Sequence, residues 1–167
     1  MPLFIDRLPF QHWTDPSRSP PLANWTVVLP MMMAEPSLTS APAVAGVENW
    51  VLDTGNRGEA FAWRHHLVRA GIDPDQGRLP QPMVIRTVSG KMTVPVRDVD
   101  LWLVSNLPSP SPPHRIVLHR GLPFLDQRTL PDPQFQRPLL GIRALRTAGL
   151  RVELDFAHDT VSVWTPD

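Results

Sequence analysis

"NWVLDTGNRGEAF", residues 49–61, runs an apolar segment of strand length straight into an aspartate, a threonine and a glycine. A carboxylate at the end of an apolar strand is either a turn residue, with the glycine supplying backbone freedom, or a catalytic group. By average residue usage, a given three-residue string arises in a chain of this size at a level of roughly a few per cent. "DTG" therefore acquires meaning only from the elements around it.

The chain has 167 residues, which suits one domain with its own core. Sixteen basic and sixteen acidic residues cancel, and no basic block offers a footprint for phosphates. Neither nucleic acid nor an anionic membrane is an expected partner. The absence of cysteine removes disulfides, thiolate metal sites and a thiol nucleophile. The opening "MPLFIDRLPFQHWTDPSRSPP" lacks a basic start followed by an apolar core, and no apolar run reaches the roughly 18 residues of a membrane span. A soluble protein, most simply cytoplasmic, is the expectation. Twenty-one prolines against nine glycines should mark the connections, because proline suits neither central strands nor helix interiors.

Residues 1–23 carry several prolines without periodicity and read as an irregular N-terminal arm packed by Phe4, Phe10 and Trp13; residues 24–167 read as the domain proper. "WTVVLPMMM" and "AGVENWVLDTG" are strand-like, with a loop between them. Apolar spacing at Ala60, Trp63, Leu67 and Ala70 predicts an amphipathic helix from Glu59 to Ala70, stopped by Gly71. "MVIRTV" and "KMTVPV", separated by Ser89 and Gly90, suit a hairpin with its turn at "SG". "DVDLWLVS" follows, with Val99, Leu101 and Leu103 on one face and Asp98 and Asp100 on the other. "RIVLH" is the next strand, "LLGIRALRTAG" a strand end running into a helix, and "LRVELDF" and "VSVWT" two strands joined by a turn. The fold class is mostly β, with one or two short helices.

"VLDTG" near one end and "LLGIRAL" near the other, with a hairpin between, resemble the retropepsin-like (retroviral-type) aspartic protease family over about residues 24–165. The resemblance implies half of an acid-protease β-barrel, with "MVIRTVSGKMTVPV" as its flap hairpin, completed by a second copy in a two-fold dimer. It implies an aspartic endopeptidase in which Asp53 from each subunit of a homodimer shares one proton and activates a water. The handling of one proton by two crowded carboxylates is a general property of such dyads. Thr54 is expected to bond across the axis and Gly55 to let backbone approach the carboxylates. Asn56, Arg57, Ser89 and Gly90 are expected to meet an extended polypeptide substrate. No metal and no organic cofactor is implied. Asn56 and Arg57 stand where the family usually has alanine and a small or acidic residue, and Ile142 and Arg143 follow "LLG" where an arginine or methionine and then an aspartate or asparagine are common. The same fold with a groove altered around Asn56 and Arg57 would instead serve as a non-catalytic binding or dimerisation module.

Other constellations are weaker. His65 and His66 are adjacent on the predicted helix, so they should point apart and make poor joint ligands. The six tryptophans are scattered rather than stacked on a basic face. Ser105, Ser109 and Ser111 lie near His114, but a proline-rich loop offers no rigid elbow for a nucleophile.

Overall fold

The structure is a computed structural model that describes residues 1–15, 22–36, 46–55, 58–87, 90–109, 111–126 and 137–167. Strand accounts for 50% and helix for 9%, so the expected mostly β class holds. In chain order the strands of the first half are β1 (Leu3–Pro9), β2 (Gln11–Asp15), β3 (Leu22–Thr26), β4 (Val28–Ala34), β5 (Glu48–Asp53) and β6 (Ala60–Trp63), followed by helix α1 (Arg64–Arg69). Then come β7 (Met83–Thr87), β8 (Gly90–Val94), β9 (Val96–Arg97), β10 (Asp100–Leu103), β11 (His114–Val117) and β12 (Leu122–Leu125). The chain closes with β13 (Leu139–Gly141), helix α2 (Ile142–Thr147), β14 (Arg151–Asp155) and β15 (Thr160–Trp164). No helix among the described residues is long and apolar enough to cross a membrane.

Eight strands form a curled half-barrel sheet in the order β11-β10-β4-β5-β13-β6-β12-β9. Its centre is set by β4, whose buried Val28, Leu29, Met31, Met32 and Met33 make a nearly continuous apolar run, the signature of a strand covered on both faces. Pro30 sits inside that strand, against the expectation that proline marks only connections. The reason is local. Its carbonyl accepts from Val104 N–H at 2.9 Å, one residue beyond the end of β10, so its nitrogen faces the same side, where the ladder has stopped. Trp50, Leu101, Phe124, Leu140, Ala144 and Val163 share one core cluster, which joins the large sheet to α2 and to the separate sheet β1-β15-β14.

Two sequence expectations change. Residues 1–23 contain β1, which pairs antiparallel with β15, and β2, which pairs with β3, so the arm is not irregular. Phe4, Ile5 and Phe10 are buried, and their burial drives this segment onto the C-terminal strands. The helix expected from Glu59 begins only at Arg64, because Ala60 and Ala62 are buried while Phe61 and Trp63 between them are half-buried, a period of two. Gly71 stops the helix as expected, at φ +75°, a conformation for which glycine is suited. Asp100 lies on the strand face opposite Leu101 and Leu103, as expected, and is buried there, where it accepts from Arg115 Nη2 at 2.8 Å.

Buried and half-buried charges pin the connection between α1 and β7. Arg97 is 4% exposed; its guanidinium donates to the carbonyls of Asp73, Gly77 and Asp98 and to both oxygens of Glu35. Arg64 and Arg78 both bind Asp75 and Asp126. Burial pushes the Asp126 carboxyl up, but hydrogen bonds from Arg64 and Arg78 outweigh it and hold the group below its ordinary value. A depressed carboxyl stabilises the fold above its unfolded pKa and loses that contribution as the pH falls through the folded value. Asp126→Asn is therefore expected to lower neutral-pH stability by up to about 1 kcal/mol, the scale of a partly exposed pair. Urea denaturation at a series of pH values should show the difference from wild type closing below about pH 4.

Gly121 has φ +71°, and a Cβ there would lie 2.8 Å from both Leu79 Cδ1 and Val96 Cγ1 and 3.0 Å from the Arg97 carbonyl oxygen. Gly121→Ala should cost about 1–3 kcal/mol through overpacking and backbone strain. A fall in the urea midpoint at unchanged slope is the expected signature.

Candidate functional site

The site is built on the end of β5. Val51 and Leu52 donate their N–H groups to the carbonyls of Pro138 and Val27 at 2.8 and 2.9 Å, which fixes the strand from two sides just before Asp53. Strand β13 lies parallel to β5 in the register Leu139↔Val51, Leu140↔Leu52 and Gly141↔Asp53. Its other edge is antiparallel to β6, Leu139↔Phe61 and Leu140↔Ala60, and Gly141 N–H donates to the Glu59 carbonyl at 2.8 Å. The "DTG" and "LLG" segments, separated by more than eighty residues, are thus direct neighbours in one sheet.

Beyond the strand the chain turns. Gly55 N–H donates to Asp53 Oδ1 at 3.0 Å, a short side-chain-to-backbone bond that shapes the turn and orients the carboxylate. A Cβ on Gly55 would lie 3.3 Å from that same oxygen, tighter than ordinary contact. Asp53 is half-buried, and Thr54 and Gly55 are exposed.

Asp53 and Gly55 open onto a cleft of about 1410 Å³. Phe61 and Trp63 of β6 and Met83 and Ile85 of β7 give it apolar walls; Arg86, Arg120 and Arg143 bring positive charge. Strands β7 and β8 form the expected hairpin, in the register Thr87↔Gly90, so residues 88 and 89 connect them. Gly90, expected in the turn, is the first residue of β8, at φ +127°. Asn56, Arg57 and Ser89 lie outside the described residues. Of the seven site residues proposed from sequence, the structure brings Asp53 and Gly55 into the cleft and places Thr54 between them.

Glu59 was missed by sequence reasoning. It is 7% exposed; Oε2 accepts from Arg120 N–H at 3.3 Å, while Oε1 is buried without a hydrogen-bond partner. The signal was present in "EAFAW", where one acid heads an alternating apolar strand, but helical spacing over the same residues masked it. Arg143 and Arg120 were missed as cleft residues because their neighbourhood depends on β13 and β12 reaching β6.

The other candidates resolve into structural roles. Ser105 Oγ donates to the Phe4 carbonyl at 2.7 Å and accepts from Leu107 N–H at 3.2 Å. The rings of His65 and His66 do not diverge: their centroids are 3.9 Å apart. His66 Nδ1 accepts from Trp63 N–H at 3.1 Å, closing the helix start, and Nε2 lies 3.5 Å from Glu48 Oε1. Glu48 and His66 line a smaller cavity of about 330 Å³ at the opposite end of β5 from Asp53. Burial raises the Glu48 carboxyl above its ordinary value against the opposing pull of Arg69, and burial, then Arg69, lowers His65.

No family model matches the chain, and no curated protein or solved structure matches it either.

Glu59→Ala removes the acceptor of Arg120 N–H and opens space beside β13, with an expected loss of about 1–3 kcal/mol. Glu59→Gln keeps an acceptor oxygen and most of the volume, so it should cost less than half as much. Paired urea titrations of the two variants check the order, and equal losses would show that the hydrogen bond contributes nothing.

Proposed function

We propose that the protein is a retropepsin-like aspartic endopeptidase that works as a homodimer. The observation that carries this reading is the register Gly141↔Asp53: an aspartate-threonine-glycine turn held against a Leu-Leu-Gly strand and opening on a cleft of about 1410 Å³. One chain brings one exposed-edge aspartate to that cleft, and hydrolysis by a carboxyl pair needs two. A closed two-fold dimer supplies the second Asp53 from an identical turn.

In the proposed mechanism the two Asp53 carboxyls share one proton, because both cannot ionise at close range. The ionised member takes a proton from the bound water as it attacks the scissile carbonyl carbon. The protonated member donates to the carbonyl oxygen as negative charge develops there. The tetrahedral intermediate collapses with proton transfer to the leaving amine and breakage of the carbon–nitrogen bond, which returns the pair to its shared-proton state. Gly55 N–H, bonded to Asp53 Oδ1, holds one oxygen fixed so that the other faces the substrate. Thr54, exposed beside it, would bond to its symmetry mate across the axis. Strand β7 and its hairpin would cover the substrate, with Gly90 near the tip.

A second reading keeps the cleft and drops the chemistry. The single aspartate of one chain and its apolar, arginine-bearing walls would equally serve a non-catalytic binding module of the same fold.

Cleavage of a denatured protein in the acid range should disappear in Asp53→Asn, by at least about 10³-fold, the scale of losing an essential group. Specific activity should rise with protein concentration until the dimer is saturated. Hydrolysis that persists in Asp53→Asn, or a strictly monomeric active species in sedimentation, sinks the proposal.

A further inference from the structure

We infer that the cleft selects extended polypeptide segments carrying a carboxylate side chain close to an apolar one. This rests on the reading of the cleft as a polypeptide site and adds what chooses the segment. Among the described residues, Arg64, Arg69, Arg78, Arg97, Arg115 and Arg151 each have a carboxylate within 4.0 Å. The three arginines that line the cleft have none: Arg86, Arg120 and Arg143 make no ion pair with any described residue. In a chain of zero net charge, three of the described arginines that lack a carboxylate partner line this one opening, the others being Arg7, Arg137 and Arg146.

Their placement is set by the sheet. Arg143 stands two residues beyond Gly141, the register partner of Asp53. Arg120 is tied through its own N–H to Glu59, immediately before β6. Arg86 lies on β7, opposite Lys91 in the hairpin, so the second wall adds a further cation and no acid. The cleft holds two acids, Glu59 and Asp53, against these three arginines, so its lining stays net positive. Glu59 is buried at the Arg120 backbone, and Asp53 is engaged by Gly55 N–H. Between the guanidinium groups the walls are apolar at Phe61, Trp63 and Ile85.

A cleft with low-dielectric walls and charge of one sign at its mouth concentrates ligands of the other sign. The planar guanidinium matches a carboxylate through two parallel N–H donors. An apolar side chain seated against β6 with a glutamate or aspartate within one or two residues satisfies both features. Nucleic acid does not, since three cations around an apolar interior form no continuous track for a phosphate backbone.

The test uses full-length Asp53→Asn protein, so that nothing is cleaved, and fluorescence anisotropy with short peptides built around a Phe-Leu pair. Glutamate, glutamine or lysine is placed in turn at each flanking position, at about pH 6, where the peptide carboxylate is ionised. The best glutamate peptide should bind roughly threefold to tenfold more tightly than its glutamine counterpart at low salt, and the advantage should fade as salt screens exposed pairs. Arg143→Gln and Arg120→Gln, added separately to the Asp53→Asn background, should each remove part of that advantage while leaving circular dichroism unchanged. Equal binding of glutamate, glutamine and lysine peptides overturns the inference, as does selectivity that survives replacement of all three arginines, or failure of every peptide to bind. Wild-type cleavage is read separately. Selective binding without any cleavage sinks the endopeptidase reading alone, and cleavage without selectivity sinks this inference alone.

Discussion

The site depends on one interaction, the insertion of β13 between β5 and β6. A three-residue strand is short for independent stability, yet both of its edges are paired, to β5 on one side and to β6 on the other. Leu140 is fully buried between them, and Gly141 N–H reaches the Glu59 carbonyl. The consequence is that the position of Asp53 is set from three directions: by β4 through the Val28↔Val51 pairing, by β13, and by the turn bond from Gly55. A carboxylate held on a strand end with so few backbone options is better placed for chemistry than one on a free loop, because the geometry is present before any ligand arrives.

Around this floor, charge fixes connections that the apolar core cannot. The segment between α1 and β7 has little strand or helix of its own, and its carbonyls at Asp73 and Gly77 are satisfied by buried Arg97. Desolvating a guanidinium costs much of what its hydrogen bonds return, so such a residue contributes more to defining the path of the chain than to net stability. Arg64 and Arg78, each reaching Asp75 and Asp126, tie the same segment to the start of α1 and to the residue after β12. Leu79, at the end of this braced stretch, lines the cleft. Placement of the cleft wall is thus traceable to side chains that never face it.

Strands with clear alternation or β-branched runs were legible in the sequence, and so were the adjoining hairpin and the strand-to-helix step at Gly141. What was not legible depended on partners far along the chain. Residues 60–63 satisfy both a helical spacing and a period of two, and only the presence of β13 and β12 on either side decides for strand. The N-terminal segment looked irregular because its strand signal is broken by prolines and by the register shifts in its pairing with β15. The burial of Asp100 was not legible because its partner, Arg115, lies on a different strand. For the site, Asp53 and Gly55 could be named from three letters of sequence, whereas Glu59, Arg120 and Arg143 become cleft residues only through non-local pairing.

The two walls of the cleft differ in how they are held, and this difference bears on function. Strand β6 is paired on both sides within the large sheet, so displacing it would break two ladders. Among the described residues, strands β7 and β8 pair only with each other. Their attachment lies at the root, where the Pro95 carbonyl accepts from Phe124 N–H at 3.1 Å and the Val96 carbonyl accepts from Leu79 N–H at 2.8 Å. A tilt on the hairpin side of those two bonds would therefore carry the hairpin as a unit and leave the ladders of the main sheet intact. Proline at 95 favours a fixed, extended path on the hairpin side of that hinge, which confines the motion to few torsions. On the proposed reading, a substrate would meet a rigid floor that carries Asp53 and a wall able to close over it, and closure would bring Ile85 and Arg86 toward the bound chain while the catalytic carboxylate stayed in place.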